Sequence, residues 1–147
     1  MFSDKEIDYL RSQKLARIAT VSKGLQPDVA PVSYELEGDK FVIPSLDMEK
    51  TLKYKNIKNG NLKVALVIDD LESVNPWKPR GIKVHGTAEI VERTGRFGKG
   101  LYIEITSQKV WSWGIQKPPF EEGGKAAFDI KDITFNIENG KVREFRG

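Results

Sequence analysis

The chain contains no cysteine. Disulfides, zinc–thiolate sites and thiol nucleophiles are thereby excluded. It has a single histidine, His85, too few for a multi-histidine metal centre, and no metal site is expected. No apolar run approaches the roughly 20 residues of a membrane helix, and the N-terminus lacks the basic-then-apolar pattern of a secretory leader. The expectation is a cytoplasmic protein with no membrane partner. Neither sign of charge dominates: 24 basic side chains against 21 acidic ones leave a net charge of +3. The lysines gather on one predicted helix instead of alternating with aromatics along a groove, so no nucleic-acid partner is expected. Internal repeats, low-complexity segments and a recurring βαβ pattern are all missing, which rules out a doubly wound parallel sheet.

What remains, 147 residues with 39% hydrophobic side chains, suits one domain with a real core, residues 1–147. Its centre is the stretch from Lys50 to Asp70. Lys50 to Asn59 holds no Gly or Pro and ends at Gly60-Asn61, a helix followed by its C-cap. Leu62 to Ile68 is rich in Val, Leu and Ile and reads as a buried strand. At about 100° per residue, Lys50, Lys53, Tyr54 and Ile57 share one helix face. Lysines in a first turn oppose the helix dipole, which favours anions there. A phosphate held by Thr51 and the two ammonium groups resolves that conflict; the alternative is a solvated lysine-rich helix.

The remainder of the chain reads as β-structure. Ser3-Asp4-Lys5-Glu6 has capping-box spacing, which predicts a short helix over 4–12. Strands are expected at Leu15–Val21, Gln26–Glu35 and Lys40–Ser45. Pro27 and Pro31 place the second of these at an edge or special pairing. Asp69–Arg80 reads as a loop. Gly81–Glu92 alternates cleanly, with His85 on its outward face. Gly95, Gly98 and Gly100 form a turn before a strand over Leu101–Thr106, which leads towards Val110–Gly114. Gln116–Lys125 reads as a loop or lid, and Asn139-Gly140 as a type I′ hairpin turn. Seven or eight antiparallel strands need their edges hidden, and a closed or split β-barrel does so. Trp77, Trp111 and Trp113 fall in or beside loops, as core packing, a wall for a planar ring or a dimer contact. Arg80 is an anion binder or ring-stacking group.

Six segments occur in an order that is similar to a known family: RIATV (17–21), QPDVAPVSY (26–34), KTLKYKNI (50–57), KVALVIDD (63–70), PWKPRGIKVHGTAEI (76–90) and WSWG (111–114). The chain resembles the split β-barrel oxidoreductases related to pyridoxamine phosphate oxidase, and among them the deazaflavin-dependent class. The resemblance implies a mainly β fold: a six-stranded antiparallel split barrel, one helix between strands three and four, a short N-terminal helix and an extra C-terminal hairpin. It implies a homodimer binding FMN or a deazaflavin coenzyme of the F-420 type between subunits, and hydride transfer to or from a small planar substrate. It places the cofactor phosphate on Thr51 and Lys53, with Lys50 and Asn56 nearby. The ring lies along the backbone of Ala30, Pro31, Val32 and Ser33, and Arg80, Gly81 and Trp113 close the site from the other subunit. Pyridoxamine phosphate oxidases carry Arg where this chain has Ala30 and Lys where it has Glu35, so the resemblance does not extend to activity on that vitamin phosphate. No catalytic acid or base is identified, though Tyr34, Tyr102 and Arg80 could reach a cleft. A non-catalytic flavin-binding protein, for storage or sensing, is the alternative.

Overall fold

The computed structural model describes residues 1–116 and, beyond them, the backbone of residues 128–130, 135–138 and 141–144. The first helix, α1 (Asp4–Ser12), starts where the capping box predicts. Ser3 Oγ accepts from the Glu6 amide at 3.2 Å, and Glu6 Oε1 accepts from the Ser3 amide at 2.8 Å. Tyr9 and Leu10 turn inward from it. Then come β1 (Ala16–Val21), β2 (Pro27–Val32), β3 (Glu35–Glu37), β4 (Lys40–Ile43), a 3₁₀ turn (Met48–Lys50), α2 (Leu52–Lys58), β5 (Lys63–Ser73), β6 (Lys78–Gly95) and β7 (Gly98–Trp113). Short strands β8 (Phe128–Ile130), β9 (Phe135–Glu138) and β10 (Lys141–Glu144) follow.

The strands are antiparallel and lie in the order β2-β1-β5-β6-β7-β4-β3, with β8 also pairing to β7. The mainly β, antiparallel reading holds, but the sheet has seven strands along its path instead of six and is not closed. The extra strand arises because 26–35 breaks after Val32: Tyr34 turns into the interior, donates its hydroxyl to the Leu10 carbonyl at 2.5 Å, and leaves β3 to pair with β4. Strands β6 and β7 pair with each other from Gly81↔Trp113 to Gly95↔Gly98. At Gly86 the register shifts, and a Cβ there would stand 2.6 Å from the Thr106 carbonyl oxygen. Only glycine permits that approach. Ile18, Leu66, Ile82, Val84, Ile103 and Ile105 fill the concave side, and α1 and α2 plug it with Leu10 and Ile57.

Three expectations are corrected. Asp69–Arg80 is mostly strand, because β5 and β6 keep pairing out to Ser73↔Lys78 and leave only Val74–Trp77 as the turn. Pro79 is tolerated because it lies past the last β6–β7 pair, Gly81↔Trp113. The glycine-rich turn shrinks to Arg96-Phe97, since Gly95 pairs with Gly98, and the strand expected over Leu101–Thr106 runs from Gly98 to Trp113. Trp111 and Trp113 are therefore strand residues. Strands β9 and β10 pair as a hairpin. Asn139-Gly140 and most of the loop after Gln116 lie outside the described residues.

Candidate functional site

Helix α2 is shorter than predicted. Its first helical residue is Leu52, and Lys50 belongs to the preceding 3₁₀ turn, exposed. Thr51 sets this boundary as N-cap: its Oγ1 accepts from the Tyr54 amide at 3.2 Å and donates to the Met48 carbonyl at 2.7 Å. Lys50 and Lys53 thus do not share a helix face, and the Thr51 hydroxyl is already engaged locally. Asn56 is buried and donates to Thr20 Oγ1 at 2.9 Å. Asn61 donates to the carbonyls of Val21 and Ser22 at 3.0 and 2.9 Å. These amides fasten the helix to the end of β1.

This docking buries Lys53. It is 8% exposed, and among the described residues its ammonium makes no hydrogen bond and no ion pair within 4.0 Å. Burial pulls its pKa below the usual lysine value, and the more distant Asp28 carboxylate acts in the opposite sense. A buried cation without an adjacent counter-charge is costly, and such cations are normally paired. The chemistry that satisfies it is an anion. Lys55 and Lys58, on the same helix, are exposed.

From Asp28 the edge strand β2 leads away from this lysine. Pro27 and Pro31 have no N–H, so the ladder to β1 runs through Asp28, Ala30 and Val32, paired with Thr20, Ile18 and Ala16. The amide N–H of Val29 and the carbonyls of Pro27, Val29 and Pro31 then turn to the open edge. The predicted edge placement of the two prolines agrees with the sheet order. Ala30, Pro31, Val32 and Ser33 continue the same line, with Pro31 exposed and Val32 buried. Asp28 to Ser33 spans roughly 17 Å at strand rise.

Arg80, Gly81 and Trp113 sit elsewhere. A Cβ on Gly81 would lie 2.5 Å from Trp113 Cζ2, so the indole packs directly on its backbone. Four strand spacings, roughly 19 Å, separate β7 from β2. Arg80 points to the other face. Its Nε and Nη2 donate to the two Asp70 carboxylate oxygens at 2.8 and 3.0 Å, and its guanidinium lies 5.1 Å from the Tyr9 ring centroid. Tyr9 completes the cluster by donating to Asp70 at 3.0 Å. The guanidinium holds the Asp70 carboxyl below the usual carboxylate range. The chain therefore brings Lys53, Thr51 and Asn56 together, sets β2 beside them, and leaves Arg80, Gly81 and Trp113 apart. Tyr34 and Tyr102 both spend their hydroxyls on backbone carbonyls, of Leu10 and Gly98.

The convex face of β1, β5, β6 and β7 carries Ala19, Ala65, Val67 and Trp111, continued on β2 by Val29, which is 67% exposed. Trp111 packs edge-on to His85 at 4.7 Å and under the Lys83 ammonium at 4.3 Å. Sequence reasoning missed the Tyr9–Asp70–Arg80 cluster, whose members lie up to 71 residues apart. Among the described residues no group of three potential metal ligands occurs, and no helix is long and apolar enough to cross a membrane.

A profile described as pyridoxamine 5′-phosphate oxidase matches residues 3–135. A 5a,11a-dehydrotetracycline/5a,11a-dehydrooxytetracycline reductase from Streptomyces rimosus is 34% identical over 121 residues, covering 78% of this chain and 84% of that protein. Among solved structures, an F-420 reductase superposes with TM-score 0.53 at 23% identity, over 67% of this chain and 89% of that one. The heme storage protein HutZ of Vibrio cholerae superposes with TM-score 0.56 at 14% identity, over 75% and 94%. At these identities the two structures speak to the fold alone.

Proposed function

Because the chain belongs to the pyridoxamine 5′-phosphate oxidase family, we propose that it is an oxidoreductase that holds FMN or a deazaflavin coenzyme by its anionic end at Lys53 and acts on a small planar substrate. The observation that carries this is the buried Lys53 ammonium, which has no partner within 4.0 Å among the described residues. The curated relative's name, a reductase, supports the redox class. When bound, such a cofactor supplies the hydride chemistry. The chain's residues do the rest. Lys53 neutralises the phosphate, and Asn56 holds α2 in register by its bond to Thr20. Thr51 offers its hydroxyl by exchanging the Met48 carbonyl for a phosphate oxygen, and Lys50 lends a second, solvated charge. The Val29 N–H and the carbonyls at the open edge of β2 face the ring, beside Ala30, Pro31, Val32 and Ser33.

Among the described residues the site is one-sided, with β2 and α2 as floor and anchor. We assign the missing wall to a second copy packed on the convex face, whose Gly81 and Trp113 approach the ring. Arg80, committed to Asp70, keeps that end of β6 in place from behind. The rival reading is a non-catalytic flavin binder, for storage or sensing. Ala30, Pro31 and Val32 carry no acid or base, which suits a binder as well as a hydride-transfer site, and the fold is shared with a storage protein. Absorbance titration with FMN and with the deazaflavin, followed by assay of the loaded protein with a conjugated enone, tests both. Perturbed ring bands with turnover support the enzyme, perturbed bands without turnover the binder, and unperturbed bands contradict both.

A further inference from the structure

We propose that the cleft lying past the end of β2, between the C-terminal turn of α1, β3 and the β6–β7 turn, is the subsite for an anionic group of the substrate. The inference rests on the cofactor reading, which runs from the phosphate at Lys53 along β2 towards Ser33. The next residues, Tyr34 and Glu35, line a cleft of about 240 Å³ together with Arg11, Lys14, Leu36 and Arg96. That volume takes one ring edge or end group of a ligand, not a whole tricyclic molecule.

The charge pattern singles this cleft out. Five arginines have described side chains. Arg17 pairs with Asp69, Arg80 with Asp70, and Arg93 with Glu37 and Glu104. Arg11 and Arg96 make no such pair among the described residues, and both line the cleft. Lys14 adds a third cation, and Glu35 is the one carboxylate on the lining. Two planar forks on the lining of one cleft, beside an apolar and aromatic wall, match a carboxylate, phenolate or phosphate carried on a ring. The wall is fixed, because the Tyr34 hydroxyl is tied to the Leu10 carbonyl and its ring packs edge-on to Phe41 at 5.6 Å. The substrate class that follows is an organic anion whose reducible part rests over β2 while its charged edge enters the cleft.

The probes are 2-naphthoate and its neutral analogue 2-naphthamide, titrated into the full chain and followed by their fluorescence anisotropy. The carboxylate is expected to bind about tenfold tighter than the amide, as charge-assisted contacts give. Arg11→Gln with Arg96→Gln should abolish that preference, while Glu35→Gln should increase it. Lys58→Ala, on the exposed side of α2, should leave it unchanged. Equal affinity for the two probes, or a preference that persists in the double variant or does not grow in Glu35→Gln, overturns the proposal. An FMN titration of the same proteins separates the two readings. Failure of FMN to bind removes the cofactor site without altering the carboxylate preference, whereas FMN binding without that preference leaves the redox reading standing and removes this subsite.

Discussion

Lys53 occupies a place that a lysine normally leaves. Its stem is covered by the docking of α2 on β1, and among the described residues its charge meets only the distant field of Asp28. A folded-state pKa below the unfolded one means that the stabilising contribution is present only above the ordinary lysine value, near pH 10, and is lost as pH falls through the lowered value. At neutral pH the charged side chain is therefore a net cost. Lys53→Met should raise the melting temperature of the ligand-free protein, by roughly 3 °C if about 1 kcal/mol is recovered, while removing its affinity for FMN. A thermal melt with and without FMN checks both halves, and a lowered melting temperature without ligand would contradict the reading. Asp70 has the opposite sign. Its carboxyl is held down chiefly by Arg80, so its stabilisation is present above the ordinary carboxylate range and disappears as pH falls through the depressed value. Asp70→Asn should be less stable at pH 7 and should lose less on acidification to about pH 3 than the parent, as measured by urea unfolding at each pH. The sequence marks Lys53 through its conflict with local helix rules. It cannot mark the Asp70–Arg80–Tyr9 cluster, because a contact between α1 and the β5–β6 hairpin has no local periodicity to reveal it.

The elements show where local rules reach and where they stop. The capping box at Ser3 and Glu6, the alternation from Ile82 to Ala88 and the prolines at the sheet edge were all legible, since each is fixed by residues within a turn or by a period of two. The start of α2 was not. Periodicity places Lys50 in the helix, but the Thr51 hydroxyl captures the Tyr54 amide and starts it at Leu52. The length of β5 and β6 was hidden for another reason: Pro76 and Pro79 signal a loop, while the two strands keep pairing with each other across the hairpin as far as Ser73 and Lys78. Gly86 sits at the register shift between β6 and β7, where a bulge bends the strand. Gly86→Ala brings a Cβ to within 2.6 Å of the Thr106 carbonyl and 2.7 Å of Ile105 Cγ2. Neither neighbour yields readily, so a loss of about 1–3 kcal/mol is expected in urea denaturation. Stability equal to the parent would mean that the bend is not sterically set.

As a whole, the molecule presents a sheet whose concave side is filled and whose convex side carries Val29, Ala19, Ala65 and Val67 without a cover among the described residues. The proposed second copy packs on this face, beside a site that has no second wall among the described residues. Val29→Glu, placed at a position 67% exposed in one subunit, should leave the fold intact, yield a monomer in sedimentation, and weaken FMN binding at the same time. A variant that stays dimeric, or a monomer that binds FMN as well as the parent, would contradict the shared site. The family resemblance conveyed the barrel and the likeness to redox proteins; the open seven-strand path and the separation of Arg80 and Trp113 from Lys53 emerge only from the assembled sheet.

The anchoring of an anionic cofactor by one buried ammonium is tested most directly by comparing equilibrium titrations of FMN into the parent and into Lys53→Ala, at a fixed pH near 7 and constant salt. The dissociation constant should rise by at least about tenfold, the loss of one charge-assisted contact. Superimposable curves for the two proteins would contradict the account.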